Sequence, residues 1–490
     1  MKLPGPGVIA VLFACAAAGS AAWLTGPPGF DSIDGAEFAV AGQNMAVAHP
    51  PSYPLYLSLL RVFPGGGYDS CRALSALLAA MCVPAGYAFL RRRGSGRTAA
   101  LASTMLLLTS APVLSQMNCA EVHALALLLC LAGLASAGGR LGPYAASLSV
   151  FGGHPMSILA LPTGIRRARF PSIGFYVLPA SLLLYVPLAA GGAWPSHYGR
   201  PSTLTEMASY LTMYGQRLSP PSALPFLETA ASVGPATLAL LALLLAFSGR
   251  PRPGELVSLA LAGLAMAVYR VPDPVATAWV LLIPVWSAAS RGMNRICSLG
   301  RPAAVMAVSA VAVSAVAGVD GADRTRDGIA GLLSRDMMRS VPFEAVYCTI
   351  GHDTFHAAYL LALEDRRPDV IPVDLYGNYF ELRIASPLPS RIGSRPVAAT
   401  RAWDETGFEL CGLVFLPSGA VRLDWERMDV FGADCLSPDG YAMDALAEAW
   451  ARRAIQSEGA ERDGCAGRAL DLVRSPVARE RIGAMLGHYR

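Results

Sequence analysis

Two carboxylates and an imidazole stand close together near the start of this 490-residue sequence. Asp34 and Glu37 lie in D-G-A-E-F (34–38), and His49 heads H-P-P-S-Y-P-L-Y (49–56), eleven residues past Phe38. A carboxylate can take the proton of an attacking hydroxyl, and neighbouring polar groups can stabilise an anionic leaving group. Asp34 is the candidate base. If a helix begins at residue 35, Glu37 falls on the same face, because positions three apart are neighbours, and it can orient Asp34 or the acceptor. The same Asp-x-x-Glu spacing also describes a capping-box-like helix start, so both readings stand on spacing alone. His49 precedes two prolines, which disfavour helix and display its ring from a rigid extended turn. Pro50, Pro51 and Pro54 shape that turn.

Composition identifies the scaffold that must position these groups. The chain is 53% hydrophobic and 15% charged, below the roughly 25% charge of a soluble globular chain. Apolar blocks of span length recur from about Val8 to Val319, whereas 320–490 carries a dense mixture of Asp, Glu and Arg. The expected architecture is a polytopic α-helical membrane bundle over 1–319 followed by a soluble extracytoplasmic α/β domain over 320–490. Nine segments approach the length that crosses ~30 Å of hydrocarbon. They lie at about 8–24, 71–90, 99–115, 120–137, 172–190, 229–247, 255–270, 274–290 and 302–319. The stretch 142–162 is split by F-G-G-H-P (151–155) into halves too short to span, and reads as a half-depth hairpin.

The charge pattern fixes the orientation. Lys2 is the only lysine, and the net charge of +4 comes from arginine. With the hairpin in place, Arg91 to Arg93, Arg97, Arg166, Arg167, Arg169, Arg250, Arg252, Arg291, Arg295 and Arg301 all fall in inner loops. The outer loops before residue 320 hold only Arg61, Arg200, Arg217 and Arg270. This is the positive-inside pattern of a membrane protein, not a nucleic-acid footprint. It puts 25–70, 191–228 and the C-terminal domain outside. The segment 8–24 reads as a retained anchor, with a cleaved signal peptide as the alternative. In the C-terminal part, A-V-Y-C-T-I, a helix from about Asp353 and D-V-I-P-V-D-L give a strand, helix, strand order that suggests a small parallel sheet, with Asp353 as N-cap. Cys348, Cys411, Cys435 and Cys465 allow one or two disulfides there. The long first outer loop has apolar residues at helical spacing, which suggests short helices along the membrane interface.

D-x-x-E-F followed by A-H-P-P-x-Y-P-L-Y resembles the first extracytoplasmic loop of the transmembrane protein 260-like family. These are membrane O-mannosyltransferases with bacterial relatives, in the wider GT-C glycosyltransferase class. In chain order, G-G-H-P-M-S-I-L-A-L-P (152–162), V-P-D-P-V-A-T-A-W-V-L-L-I-P (271–284) and T-I-G-H-D-T-F-H (349–356) with R-P-D-V (367–370) resemble further family elements. The chain departs from the pattern in Gly35-Ala36, where Ser-Gly is commoner, in Ser52 for Gly and in Thr277 for an aromatic.

The resemblance implies a GT-C-like bundle of about nine spans that moves a sugar, with inversion, from a polyprenyl phosphate carrier to an acceptor hydroxyl on the extracytoplasmic side. The sugar implied is mannose, and the acceptor a protein Ser/Thr or a glycan. Catalysis then falls to Asp34 and Glu37, and substrate contacts to His49, Tyr53, Arg270 and Asp273. Glu121 and His123, at the outer start of a span, are further polar candidates. His154, at an inner-leaflet hairpin, reads as structural, and Arg270 with Asp273 also fits a local salt bridge. Two nearby carboxylates make Mg or Mn conceivable, on weak grounds. A transporter or lipid flippase would also need a polytopic bundle, but the polar candidates gather in outer loops and not at the midplane. A non-catalytic scaffold would leave Asp34, Glu37 and His49 without a common task. Arginine-rich, lysine-poor usage suggests a bacterial inner membrane, with an endoplasmic reticulum membrane as the alternative.

Overall fold

The computed structural model describes the whole chain except residues 1–4, 31–33, 64, 138, 140, 165–173, 192–197, 200, 213–221, 269–273, 375–394, 401–407, 412–413, 418–439 and 489–490. The Arg166–Arg169 loop that anchors the topology, and Arg270 with Asp273, thus lie outside the described residues.

The helical part opens with α1 (Pro6–Leu24), α2 (Gly35–Asn44), α3 (Pro54–Val62) and α4 (Gly67–Arg92). Next come α5 (Arg97–Leu108) and α6 (Ala111–Met117), one apolar stretch bent by 69°. At the bend the Thr109 and Ser110 hydroxyls donate to the Met105 and Leu107 carbonyls, and Pro112 has no N–H to continue the ladder. α7 (His123–Ser136) leads into α8 (Gly142–Leu148), a π turn (Ser149–Gly153) and α9 (Ser157–Ala160), so 142–162 breaks at F-G-G-H-P as its sequence implies. α10 (Gly174–Ala180), α11 (Tyr185–Ala190) and α12 (Leu204–Thr212) follow. α13 (Leu224–Val233) and α14 (Pro235–Ser248) meet at 98°. α15 (Pro253–Val268), α16 (Ala278–Ser298) and α17 (Arg301–Gly321) complete this part.

Among the described residues, α1, α4 and α17 are each long and apolar enough to cross a membrane, or five spans if each bent pair counts as one. The segments at 123–136, 177–190 and 253–268 are shorter. Every apolar block read from composition contains helix, but not nine straight spans, because Gly, Pro and hydroxyl side chains bend or stop the ladder. Where helices cross, glycine permits the approach. A Cβ on Gly292 of α16 would stand 1.8 Å from the Leu244 carbonyl oxygen, and one on Gly318 of α17 would stand 1.9 Å from that of Thr109. The buried Glu255 carboxylate accepts from Arg93 (3.1 Å), Ser287 (2.9 Å) and Arg291, which ties α4, α15 and α16 together.

The C-terminal part holds α18 (Ile329–Ser340), β1 (Val346–Thr349), α19 (His352–Ala362), β2 (Ile371–Asp374), β3 (Val397–Ala399), β4 (Phe408–Cys411) and β5 (Val414–Pro417). It ends in α20 (Gly440–Gln456), α21 (Gly459–Leu472) and α22 (Pro476–His488). Val346 of β1 pairs in parallel with Ile371 and Val397. β5 runs antiparallel to β3 and β4, so the expected parallel unit forms one side of a mixed sheet ordered β2-β1-β3-β5-β4. R-P-D (367–369) is a brace. Arg367 donates to the Met338, Val341 and Pro342 carbonyls and to both oxygens of Asp369, whose carboxyl it holds well below the usual range.

One local expectation is corrected and one is narrowed. Gly351 is the N-cap residue of α19, so Asp353 sits inside the first turn and not at the cap. Cys348 and Cys465 are free thiols, and burial pushes the Cys348 thiol up to about 12. The Cys411 side chain and Cys435 lie outside the described residues.

Candidate active site

α2 and the turn that follows it bring Asp34, Glu37 and His49 together. α2 is apolar on most sides, and residues 35–42 are all buried. It therefore lies in the interior, packed against α3, α4 and α19, and not along a membrane interface. Asp34 occupies the N-cap position but makes no side-chain cap hydrogen bond. Its carboxylate instead faces two imidazoles: Oδ2 is 3.7 Å from His49 Nε2, and Oδ1 is 4.0 Å from His352 Nδ1. The capping-box reading of Asp34 therefore falls for the side chain.

Glu37, one turn further on, is 0% exposed. Its Oε1 accepts the His49 backbone N–H at 2.8 Å, and its Oε2 lies 2.7 Å from His49 Nδ1. Both ring nitrogens of His49 thus face a carboxylate, and in its protonated form the ring donates to Glu37 and aims its other N–H at Asp34. α2 lies in the loop between α1 and α4, outside the spans. Burial pushes the Glu37 carboxyl up, against the opposing pull of His49.

The turn at 49–53 is closed by the Ser52 N–H donating to the His49 carbonyl at 2.7 Å. Ser52 and Tyr53 both have left-handed backbone, with φ of 71° and 50°. That region favours glycine, which accounts for the Gly common in the resembling family at the position of Ser52. Here the Ser52 hydroxyl accepts the Ala48 N–H at 3.3 Å as partial compensation. Residues from α11 to α12 clamp the segment leading into this turn. Tyr185 and Tyr210 donate their hydroxyls to the Ala46 and Ala48 carbonyls, and the Tyr198 N–H donates to Val47.

Of the residues expected to act, Asp34, Glu37 and His49 form one cluster. Tyr53 joins it from behind: it is buried, edge-on to His49 at 5.5 Å and stacked on His154 at 5.7 Å. Arg270 and Asp273 lie outside the described residues. His154, read as structural, packs on both Tyr53 and His123, and Trp279 Nε1 donates to His123 Nδ1 at 3.3 Å. The hairpin tip therefore supports the floor of the site, a depth that loop charges alone do not give. His352, which the sequence places only within T-I-G-H-D-T-F-H, joins the cluster from the start of α19. Its one signal was G-H-D-T-F-H placed where a parallel strand feeds a helix.

Among the described residues, the ligand atoms of Asp34, Glu37 and His49 all lie within 4.8 Å of one another. Asp34 Oδ2 and His49 Nε2 are spaced to share one ion, while Glu37 holds the other nitrogen of the ring, the support that metal-ligating histidines commonly have.

No protein-family profile and no curated protein matches this sequence. Among solved structures, the chain is similar to ArnT from Cupriavidus metallidurans bound to undecaprenyl phosphate, with a TM-score of 0.51 and 12% identity over 85% of this chain and 99% of that one. The apo state of the same protein matches with a TM-score of 0.48 and 12% identity, over 82% of this chain and 95% of that one. The likeness to the lipid-bound structure shows that the two chains share a largely helical fold over most of their length.

Proposed function

We propose that this chain is an inverting glycosyltransferase that moves a sugar from a polyprenyl phosphate carrier to an acceptor hydroxyl. One observation carries the reading: a partly exposed carboxylate, Asp34, flanked by a clamped imidazole, within a fold shared with a protein bound to undecaprenyl phosphate. The family resemblance favours mannose as the sugar and a protein Ser/Thr or a glycan as the acceptor, on the extracytoplasmic side.

In this mechanism the acceptor hydroxyl attacks the anomeric carbon as its proton passes to the Asp34 carboxylate. The bond from that carbon to the phosphate oxygen breaks, and polyprenyl phosphate leaves with the electron pair. Inversion puts the departing phosphate on the far face of the sugar, away from Asp34. Glu37 fixes the ring of His49, whose Nε2 edge contacts substrate oxygens that enter beside Asp34. Arg270 is a proposed phosphate contact on sequence grounds, with Asp273 beside it as a substrate contact or its ion-pair partner, and Tyr53 backs the His49 ring. A divalent ion would be held by Asp34 and His49 with Glu37 in support, and a set containing imidazole suits Mn better than Mg. There its charge would help an acceptor hydroxyl lose its proton. The direct test is sugar transfer by the purified protein in lipid nanodiscs, from polyprenyl phosphate-linked mannose to a Ser/Thr peptide, with and without Mn. Absence of both transfer and donor hydrolysis would sink the reading.

A further inference from the structure

Asp34 has a second imidazole beside it that comes from the opposite end of the chain. His352 is the first residue of α19, where Gly351, at φ 61°, turns the chain out of the strand β1 end. Its Nδ1 lies 4.0 Å from Asp34 Oδ1, and the two side chains are similarly exposed, at 26% and 25%. That separation is too long for a hydrogen bond, but it suits one intervening oxygen. An atom at about 2.8 Å from each would subtend roughly 90° between them, within the range a hydroxyl accommodates.

α19 is held firmly enough to make this placement specific. Phe30 packs on His356 at 5.0 Å and on Tyr359 at 4.9 Å, and the Tyr68 N–H donates to the Tyr359 hydroxyl at 3.2 Å. Phe355 meets Tyr198 of the second outer loop at 6.5 Å, and the Ser334 hydroxyl lies 3.0 Å from His356 Nδ1. Asp353, the next residue, lines a polar cavity of about 190 Å³ bordered also by Thr400, Glu448, Arg452 and Arg481. The start of α19 thus borders the base through His352 and this cavity through Asp353.

We propose that His352 holds the acceptor: its Nδ1 and the Asp34 carboxylate grip one hydroxyl oxygen of a polar chain, peptide or glycan. The C-terminal part then completes a site whose donor side belongs to the bundle. This rests on the glycosyl-transfer reading above. Inversion supports the assignment, because a group 4.0 Å from the base lies on the nucleophile's face of the sugar and not on that of the phosphate.

The test uses the full-length protein in nanodiscs with polyprenyl phosphate-linked mannose and a Ser/Thr peptide. His352→Ala should raise the peptide KM at least tenfold and lower transfer at subsaturating peptide far more than it lowers hydrolysis of the donor by water. His352→Asn should recover most of the loss, because its amide nitrogen overlays Nδ1, whereas His352→Gln should recover little. An unchanged peptide KM, equal losses of transfer and hydrolysis, or better rescue by Gln would overturn the assignment. Fluorescence anisotropy of the labelled peptide on the same samples needs no turnover. If the parent binds peptide and His352→Ala binds it equally well, or if the parent binds none, His352 has no such role; absent turnover with His352-dependent peptide binding would count only against the transfer reading.

Discussion

Replacing Asp34 by Asn separates chemistry from stability more sharply than the sequence alone would allow. Asn keeps the shape of Asp but cannot accept the acceptor proton, and loss of a general base typically costs about 10² to 10⁴ in rate, or roughly 3 to 5 kcal/mol of barrier. The stability side follows from the geometry. The Asp34 side chain makes no cap bond, and its nearest ion-pair contacts, at 3.7 and 4.0 Å, are partly exposed. Such pairs contribute about 0 to 1 kcal/mol. Asp34→Asn and Asp34→Ala should therefore both fold with stabilities within about 1 kcal/mol of the parent, and the Ala variant should lack the further loss expected of a missing N-cap. The assay is single-turnover transfer from polyprenyl phosphate-linked mannose, beside unfolding curves for the three proteins. Near-normal turnover by the Asn variant would refute Asp34 as base. A large destabilisation confined to Asp34→Ala would restore the capping role.

Glu37→Gln should flatten the pH dependence of stability. The Glu37 pKa is raised in the folded state, so its contribution is fully present below the ordinary glutamate value, about 4.3, and is lost as pH rises through the raised one. The Gln variant should gain on the parent from about pH 4 towards neutrality, and a constant difference in unfolding free energy would contradict this. At Ser52, Ala should lose the Ala48 hydrogen bond and keep the left-handed backbone, costing about 1 kcal/mol. Gly loses the same bond but relieves the backbone, so melting curves should rank Gly above Ala; the reverse order would mean the turn is unstrained. Single cysteines at the exposed positions Asp69 and Phe343 should react with an impermeant thiol reagent from the same side of the membrane, and one at Gly94 from the other. Labelling of all three from one side would break the topology.

Much of the candidate site is legible in sequence because its parts are close in the chain. D-G-A-E-F and H-P-P-S-Y-P-L-Y lie within one loop, so a helix and a proline turn suffice to bring Asp34, Glu37 and His49 together. What spacing leaves open is which partner wins: it allows Asp34 to cap α2, and only the position of α19 shows why the carboxylate turns outward. The neighbours of His154 escape the sequence for a related reason. Loop charges give the side from which a hairpin enters, but the depth of its tip depends on packing against α7 and Tyr53. The bends at Thr109–Ser110 and Gly234 escape a reading based on apolarity, which is blind to where hydroxyls and prolines interrupt a ladder. The R-P-D brace shows the converse, a motif whose arginine is taken up by its own Asp369 and three backbone carbonyls.

The packing of α19 on α2 also sets a timetable for biogenesis. Asp34 leaves the ribosome early, but its second imidazole follows roughly 300 residues later, and at typical elongation rates that delay is about 15 to 60 s. During that interval Phe30, Tyr68 and the otherwise buried α2 lack the helix that covers them. The nascent protein therefore passes through a stage in which α3 and α4 already pack on α2 but the face that α19 covers is still open.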